Sequence, residues 1–107
     1  MAGADSPLFN EIVKRVLSVA RPERIIVFGS AAYDRMTKDS DIDLLVVEAS
    51  PPDPLGRSVV IRRALSGLGF PFDVVVMSSE RFGQTKDIIG GIAYPANKYG
   101  KVIYEAA

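Results

Sequence analysis

The 107-residue sequence contains neither cysteine nor histidine. Without cysteine the chain forms no disulfide and no thiolate zinc site. Without histidine it lacks the commonest general base and the commonest ligand for transition metals. Any metal ion must therefore be held by oxygen ligands, which favours magnesium, manganese or calcium.

The sequence also has no net charge, since its 13 basic and 13 acidic residues cancel. This balance argues against strong non-specific binding to nucleic acid, which requires a basic surface. No apolar run approaches the roughly 18 residues of a membrane span, and no signal peptide opens the chain. With 48% apolar residues, the chain has enough for a core. We therefore expect a single domain over residues 1–107, located in the cytoplasm.

Two apolar runs, at 25–28 and 42–47, are typical of buried strands. Only ten residues separate Ser30 from Asp41, a connection so short that antiparallel pairing is favoured. Gly29 lets a backbone approach a ligand closely, and Ser30 is a suitable N-cap for a short helical segment behind it. Free N–H groups at such a helix start favour phosphate. The corner between the strands therefore predicts a phosphate-binding loop.

Three aspartates are predicted to meet at one edge of the sheet. Asp41 and Asp43 are two apart at the start of a strand, so their carboxylates project from one face. A predicted helix over 57–68 links this strand to another over 72–77, which makes a parallel βαβ unit. Parallel strands begin at the same edge, and Asp73 is therefore predicted to lie beside Asp41 and Asp43.

The remaining predicted elements surround this centre. They are a helix capped by Asp5 or Ser6 and ending near Ala20, a rigid proline-containing loop over 49–56, a helical turn over 79–83, a helix over 87–94 that Pro95 interrupts or restarts, and an edge strand over 102–104. The expected fold class is α/β (α+β), a small mixed sheet flanked by helices.

Converging carboxylates without histidine indicate a site for a hard cation. Magnesium prefers carboxylate and substrate-phosphate oxygens, and two such ions about 4 Å apart can clamp the attacking and leaving oxygens of a phosphoryl displacement. Asp41 and Asp43 would hold both metals, while Asp73 would hold the catalytic one and help to deprotonate the attacking hydroxyl. Each feature alone is typical of a solvated strand end or a turn. The hypothesis of a metal-dependent phosphoryl-transfer site depends on these features occurring together.

Residues 28–30 (Phe-Gly-Ser), followed after ten residues by Asp41-Ile-Asp43, resemble the signature of the DNA polymerase β-like nucleotidyltransferase superfamily. The ending over 100–105 (Gly-Lys-Val-Ile-Tyr-Glu) resembles its minimal nucleotidyltransferase branch. The resemblance implies that Mg²⁺, with Mn²⁺ as a substitute, supports transfer of a nucleoside monophosphate from a triphosphate such as ATP. It also implies that Gly29 and Ser30 bind the triphosphate, that Asp41 and Asp43 bind both metals, and that Asp73 is the third carboxylate.

The same resemblance implies a partner. Members of this branch are often antitoxins, paired with a HEPN-domain ribonuclease toxin that is silenced when AMP is placed on one of its tyrosines. The family often has an arginine soon after Gly-Ser, whereas residues 31–34 here are Ala-Ala-Tyr-Asp, with Arg35 next. The alternative hypothesis is a non-catalytic binding module that neutralises a helical partner sterically and keeps a vestigial nucleotide site.

Overall fold

A computed structural model describes residues 6–29 and 41–106. Over this part, the elements in chain order are α1 (Pro7–Val19), β1 (Arg24–Phe28), β2 (Ile42–Glu48), α2 (Pro54–Ala64), β3 (Phe72–Ser78), α3 (Ser79–Thr85), α4 (Ala93–Tyr99) and β4 (Lys101–Glu105). The strands form one sheet in the order β3-β2-β1-β4. The mixed sheet flanked by helices that the sequence predicts is confirmed.

Strand direction places one end of every strand at a shared edge. β1 is antiparallel to β2 and to β4, while β2 and β3 are parallel. The starts of β2, β3 and β4 therefore lie at the same edge of the sheet as the end of β1. The predicted antiparallel pairing of the first two strands and the parallel βαβ unit are both confirmed.

The two faces of the sheet are covered by different helix pairs. On one face, α1 and α2 bury Ile12, Val16 and Ile61 against alternate strand residues such as Leu44 and Val46. On the other face, Phe82 of α3 and the two buried alanines of α4 pack against Ile26, Leu45 and Met77. Along β1, β2 and β3, the buried residues alternate between these two cores. None of the helices in the described ranges is long and apolar enough to cross a membrane.

The capping signals at α1 act as the sequence predicts. The Ser6 hydroxyl accepts a hydrogen bond from the N–H of Phe9, and Pro7 occupies the first helical position, where no N–H is required. The helix ends at Val19, immediately before the predicted boundary at Ala20.

The bounds of α2 differ from the prediction at both ends. The helix begins at Pro54, within the predicted loop, because Asp53 caps it by accepting from the N–H of Gly56. It ends at Ala64 rather than Leu68. Gly67 has φ +91°, so the left-handed turn belongs to the loop that follows.

The predicted helix over 87–94 is wrong for most of its length. Residues 86–92 form turns and bends, and the helix there is α4, from Ala93 to Tyr99. Pro95 lies within its first turn, where backbone N–H groups have no intrahelical partner, so the proline neither breaks nor kinks it. The predicted edge strand over 102–104 is confirmed as β4, which Gly100 separates from α4. The predicted reversal over 33–40 and the helical segment after Ser30 lie outside the described residues.

Candidate functional site

The register of the sheet brings two of the predicted aspartates to adjacent positions. Asp43 on β2 pairs with Asp73 on β3 in the parallel register, and with Phe28 on β1 in the antiparallel one. Neighbouring strands are about 4.8 Å apart, so the two aspartates begin from backbone positions at that spacing. Asp41 lies immediately before β2, one residue ahead of Ile42. We call this end of the sheet, with Gly29, Asp41, Asp43 and Asp73, the carboxylate edge.

The carboxylates lie on the face that α3 and α4 cover. Asp43 is two residues before Leu45, and Asp73 is four before Met77, and both of these apolar side chains belong to the core under α3 and α4. Alternation puts Asp43 and Asp73 on that same face. Asp41 and Asp73 are exposed, while Asp43 is half-buried. The trio is thus open to solvent and to a ligand approaching from this face.

Electrostatics connects the three carboxylates. Partial burial raises the pKa of Asp43 above its ordinary value, and repulsion first from Asp73 and then from Asp41 raises it further. The ionised form of Asp43 is therefore disfavoured by its own surroundings. A positive charge placed among the three groups would reverse this effect.

Gly29 is required by its surroundings at the end of β1. Its φ is +72°, a left-handed conformation that residues with a side chain rarely adopt. A Cβ built on it would also overlap Oδ2 of Asp43. The backbone at this corner and the Asp43 carboxylate are therefore in close contact. Ser30, the other predicted nucleotide-binding residue, lies outside the described residues.

The carboxylate edge fits a divalent cation in its donor chemistry. Three carboxylates supply only hard oxygen ligands, which suit magnesium or manganese. Within residues 6–29 and 41–106, no group of three or more acidic, histidine or cysteine side chains is close enough together to hold an ion. Asp41 and Asp73 are exposed, so they can change rotamer to reach a common ion without disturbing the core.

Sequence reasoning missed a cluster on α4, near the same edge. The ammonium of Lys98 lies 5.5 Å from the ring centre of Tyr94 and 5.6 Å from that of Tyr99, and it donates a hydrogen bond of 3.1 Å to the Tyr94 hydroxyl. Tyr94 and Lys98 are four residues apart, so their contact could have been predicted if the helix had been placed over residues 93–99. The helix predicted over 87–94 includes Tyr94 but ends before Lys98 and Tyr99.

A cleft at the opposite end of β2 lacks a comparable group of carboxylates. It has a volume of about 540 Å³ and lies between the end of α1 and Arg57. Its buried Glu48 is paired with Arg57 at 3.4 Å, and Arg57 also donates to the carbonyl of Val19. These partners satisfy both charges and tie α1 to α2. The charged residues of this cleft therefore have a structural role.

Comparison with known proteins identifies the family. The sequence profile of the nucleotidyltransferase domain matches residues 8–93, which include the whole carboxylate edge. The chain belongs to the nucleotidyltransferase domain family. No curated protein matches this nucleotidyltransferase in sequence.

Two solved structures share the nucleotidyltransferase fold seen here. One is described as a toxin-antitoxin with AMP-PNP; it is 21% identical, covers 92% of this chain and 73% of its own, and superposes with a TM-score of 0.71. The other is a candidate nucleotidyltransferase from Sulfolobus solfataricus, 23% identical over 92% of this chain and 78% of its own, with a TM-score of 0.60. At these identities the likeness establishes the fold, which is that of polymerase β-like nucleotidyltransferases.

Proposed function

We propose that this nucleotidyltransferase moves AMP from ATP to a hydroxyl group of a partner protein. The observation that carries the proposal is the pairing of Asp43 with Asp73 at the open end of the sheet, with Asp41 close enough to raise the pKa of Asp43. Catalytic phosphoryl-transfer sites of this kind rely on positioning and charge neutralisation rather than on a protein nucleophile. The absence of histidine and cysteine is compatible with that chemistry.

Each residue of the edge has a distinct role in this proposal. Asp41 and Asp43 would hold both divalent cations, Mg²⁺ or Mn²⁺, and Asp73 would hold one of them. When bound, the cations would neutralise the triphosphate and the charge that develops during transfer. Gly29, which has no side chain, would let the phosphates approach its backbone, and Ser30 would donate a hydrogen bond to them.

The transfer step needs no reactant other than ATP and the acceptor hydroxyl. The acceptor hydroxyl oxygen forms a bond to the α-phosphorus of ATP, the bond from that phosphorus to the bridging oxygen breaks, and pyrophosphate leaves. The proton of the hydroxyl passes to the Asp73 carboxylate and then to solvent. Asp73 suits this role because it is exposed at the mouth of the site.

We propose that the acceptor is a tyrosine of a HEPN-type ribonuclease toxin, which makes this chain the antitoxin. The fold likeness to a toxin-antitoxin structure that contains AMP-PNP supports a toxin partner and an adenine nucleotide. The chain has no net charge, and its sheet edge is open to solvent, so a folded partner is better placed than a nucleic acid to present the hydroxyl.

The decisive experiment is intact-mass analysis of the partner. The proposed partner, a HEPN-type protein, is incubated with the chain, ATP and Mg²⁺, and its intact mass is then measured. We expect a gain of one or more adenylates with the parent and none with Asp43→Asn. A partner whose mass never changes, with active parent protein and ATP present, would refute adenylate transfer.

One observation favours a second candidate, a binding module that blocks a helical toxin sterically. In the described part of the chain, the acidic side chains do not by themselves converge closely enough to hold an ion. This candidate predicts full inhibition of the toxin at unchanged mass, with no requirement for Asp43. The mass experiment with Asp43→Asn therefore separates the two functions.

A further inference from the structure

The last turn of α4 is fixed against the strand that leads into the carboxylate edge. A Cβ built on Gly100, directly after α4, would lie 2.6 Å from Cγ2 of Ile26 and 2.9 Å from the carbonyl oxygen of Val27. No side chain fits there, so the helix end rests directly on β1. Phe28 follows within two residues and is the register partner of Asp43. The end of α4 therefore stands beside the carboxylates, on the face to which they project.

Helical geometry directs one aromatic ring toward the site. Ala93 and Ala96 are buried against the sheet, and at 100° per residue Tyr99 falls on one flank of that buried stripe while Asn97 falls on the other. With the right-handed β2–α2–β3 crossover that such units adopt, the flank with Tyr99 is the one toward β2. A ring on that flank is therefore expected on the side of α4 that faces the strand with Asp43.

The ring of Tyr99 is partly exposed to solvent and is in contact with Lys98. The residue is 51% exposed, so part of its ring surface is open to a ligand. Lys98 lies over this ring at 5.6 Å and is itself anchored by its hydrogen bond to the Tyr94 hydroxyl. That hydrogen bond raises the pKa of Lys98, a side chain that is already positively charged at neutral pH, and the charge supports the cation–π contact. Lys98 therefore contacts the ring while the residue stays half exposed.

We propose that the Tyr99 ring is the platform on which the base of the nucleoside triphosphate stacks, with Lys98 and Tyr94 holding the ring in place. The proposal rests on the nucleotidyltransferase function above. The triphosphate of a nucleotide would bind at Gly29 and the three aspartates, with its base extending away from the metals. The Tyr99 ring of α4 provides an aromatic surface on that face of the sheet. Stacking tolerates different bases, so Tyr99 would contribute affinity for nucleotides rather than strict choice among them.

The test compares two ligands that differ by the nucleoside. Dissociation constants for ATP and for inorganic triphosphate, both with Mg²⁺, are measured by calorimetry on the parent, Tyr99→Ala and Tyr99→Phe. Ile89→Ala serves as the matched control, because Ile89 is 79% exposed on the α3–α4 connection and is absent from the proposed site. Melting curves check that every variant is folded.

We expect Tyr99→Ala to weaken ATP binding by between about fivefold and a hundredfold, the range for loss of one base–aromatic stack. Binding of inorganic triphosphate should not change. Tyr99→Phe and Ile89→Ala should bind both ligands as the parent does.

Three results would overturn the proposal. ATP affinity in Tyr99→Ala could equal that of the parent. Both ligands could weaken equally, which would mean that α4 shapes the phosphate site instead. The parent could bind inorganic triphosphate as tightly as ATP, which would mean that no base contact exists. A parent that binds neither ligand would instead refute the nucleotidyltransferase function, and the stacking role with it.

Discussion

Replacing Asp43 with asparagine should stabilise the metal-free protein while it strongly slows transfer. Asp43 is half-buried and faces Asp73 across the parallel register, with Asp41 nearby. Asparagine has the same shape but carries no charge, so the repulsion disappears and the fold is otherwise preserved. A side chain that served only the structure would not show this combination.

The magnitude follows from the spacing of the strands. Register partners in a sheet start about 4.8 Å apart, and two unit charges roughly 5 Å apart in water repel by about 0.8 kcal/mol. We therefore expect Asp43→Asn to raise the melting temperature by roughly 4 °C in the presence of a chelator. Transfer should fall by roughly a thousandfold, equivalent to about 4 kcal/mol of barrier, because the proposed metals lose a shared ligand.

The assay pairs calorimetric melting in chelator with the initial rate of adenylate transfer by intact mass. Asp87→Asn is the matched control, because it makes the same chemical change at an exposed carboxylate paired with Lys86 at 3.0 Å. An exposed ion pair of this kind contributes little to stability. The control should therefore have the melting temperature and the transfer rate of the parent.

Two results would refute this reasoning. Unchanged transfer in Asp43→Asn would exclude a catalytic role for the aspartate pair. A lower melting temperature in chelator would show instead that the carboxylate supports the corner at Gly29 and that repulsion is not its dominant interaction.

Three further predictions can be tested with the same methods. Gly29→Ala should lower the free energy of unfolding by about 1–3 kcal/mol, because its φ is positive and the new Cβ would overlap Asp43; chemical denaturation measures this. Arg57→Ala should cost about 3 kcal/mol by leaving the buried Glu48 unpaired, and the double variant with Glu48→Gln should recover part of the loss. Because the folded state raises the pKa of Asp43, the stability it contributes is present below its unfolded pKa of 3.8 and is lost as pH rises through the folded value. The melting-temperature difference between the parent and Asp43→Asn in chelator should therefore close as the solution is acidified, and a difference that stays constant would contradict this.

Much of the site could be predicted because its signals are local or follow from topology. The alternation of Asp41 and Asp43 at a strand start needs only the period of a β-strand. The position of Asp73 needs only the βαβ connection, whose length forces parallel strands. These two facts place Asp43 and Asp73 at the same edge of the sheet, and the structure shows that they are register partners.

The errors arose where tertiary packing or capping selects among local options. The sequence around Pro95 allowed either a break or a helix start, and packing of Ala93 and Ala96 under the sheet decided for a start. Likewise, because Asp53 caps the helix, α2 begins at Pro54, three residues before the predicted start at Arg57. The cluster around Lys98 was missed for the same reason, because its residues share a surface only once α4 is placed.

The sequence by itself determined the oxygen-only chemistry, the spacing of the aspartates and the mixed sheet, because each depends on residue type or on connection length. Only the tertiary structure decided that the pKa of Asp43 is raised, and that a Cβ at position 29 would overlap the Asp43 carboxylate. It also brought α4 to the carboxylate edge, where Gly100 rests on β1. These properties depend on distances between groups remote in the chain, and such distances exist only once the sheet and its helices have packed.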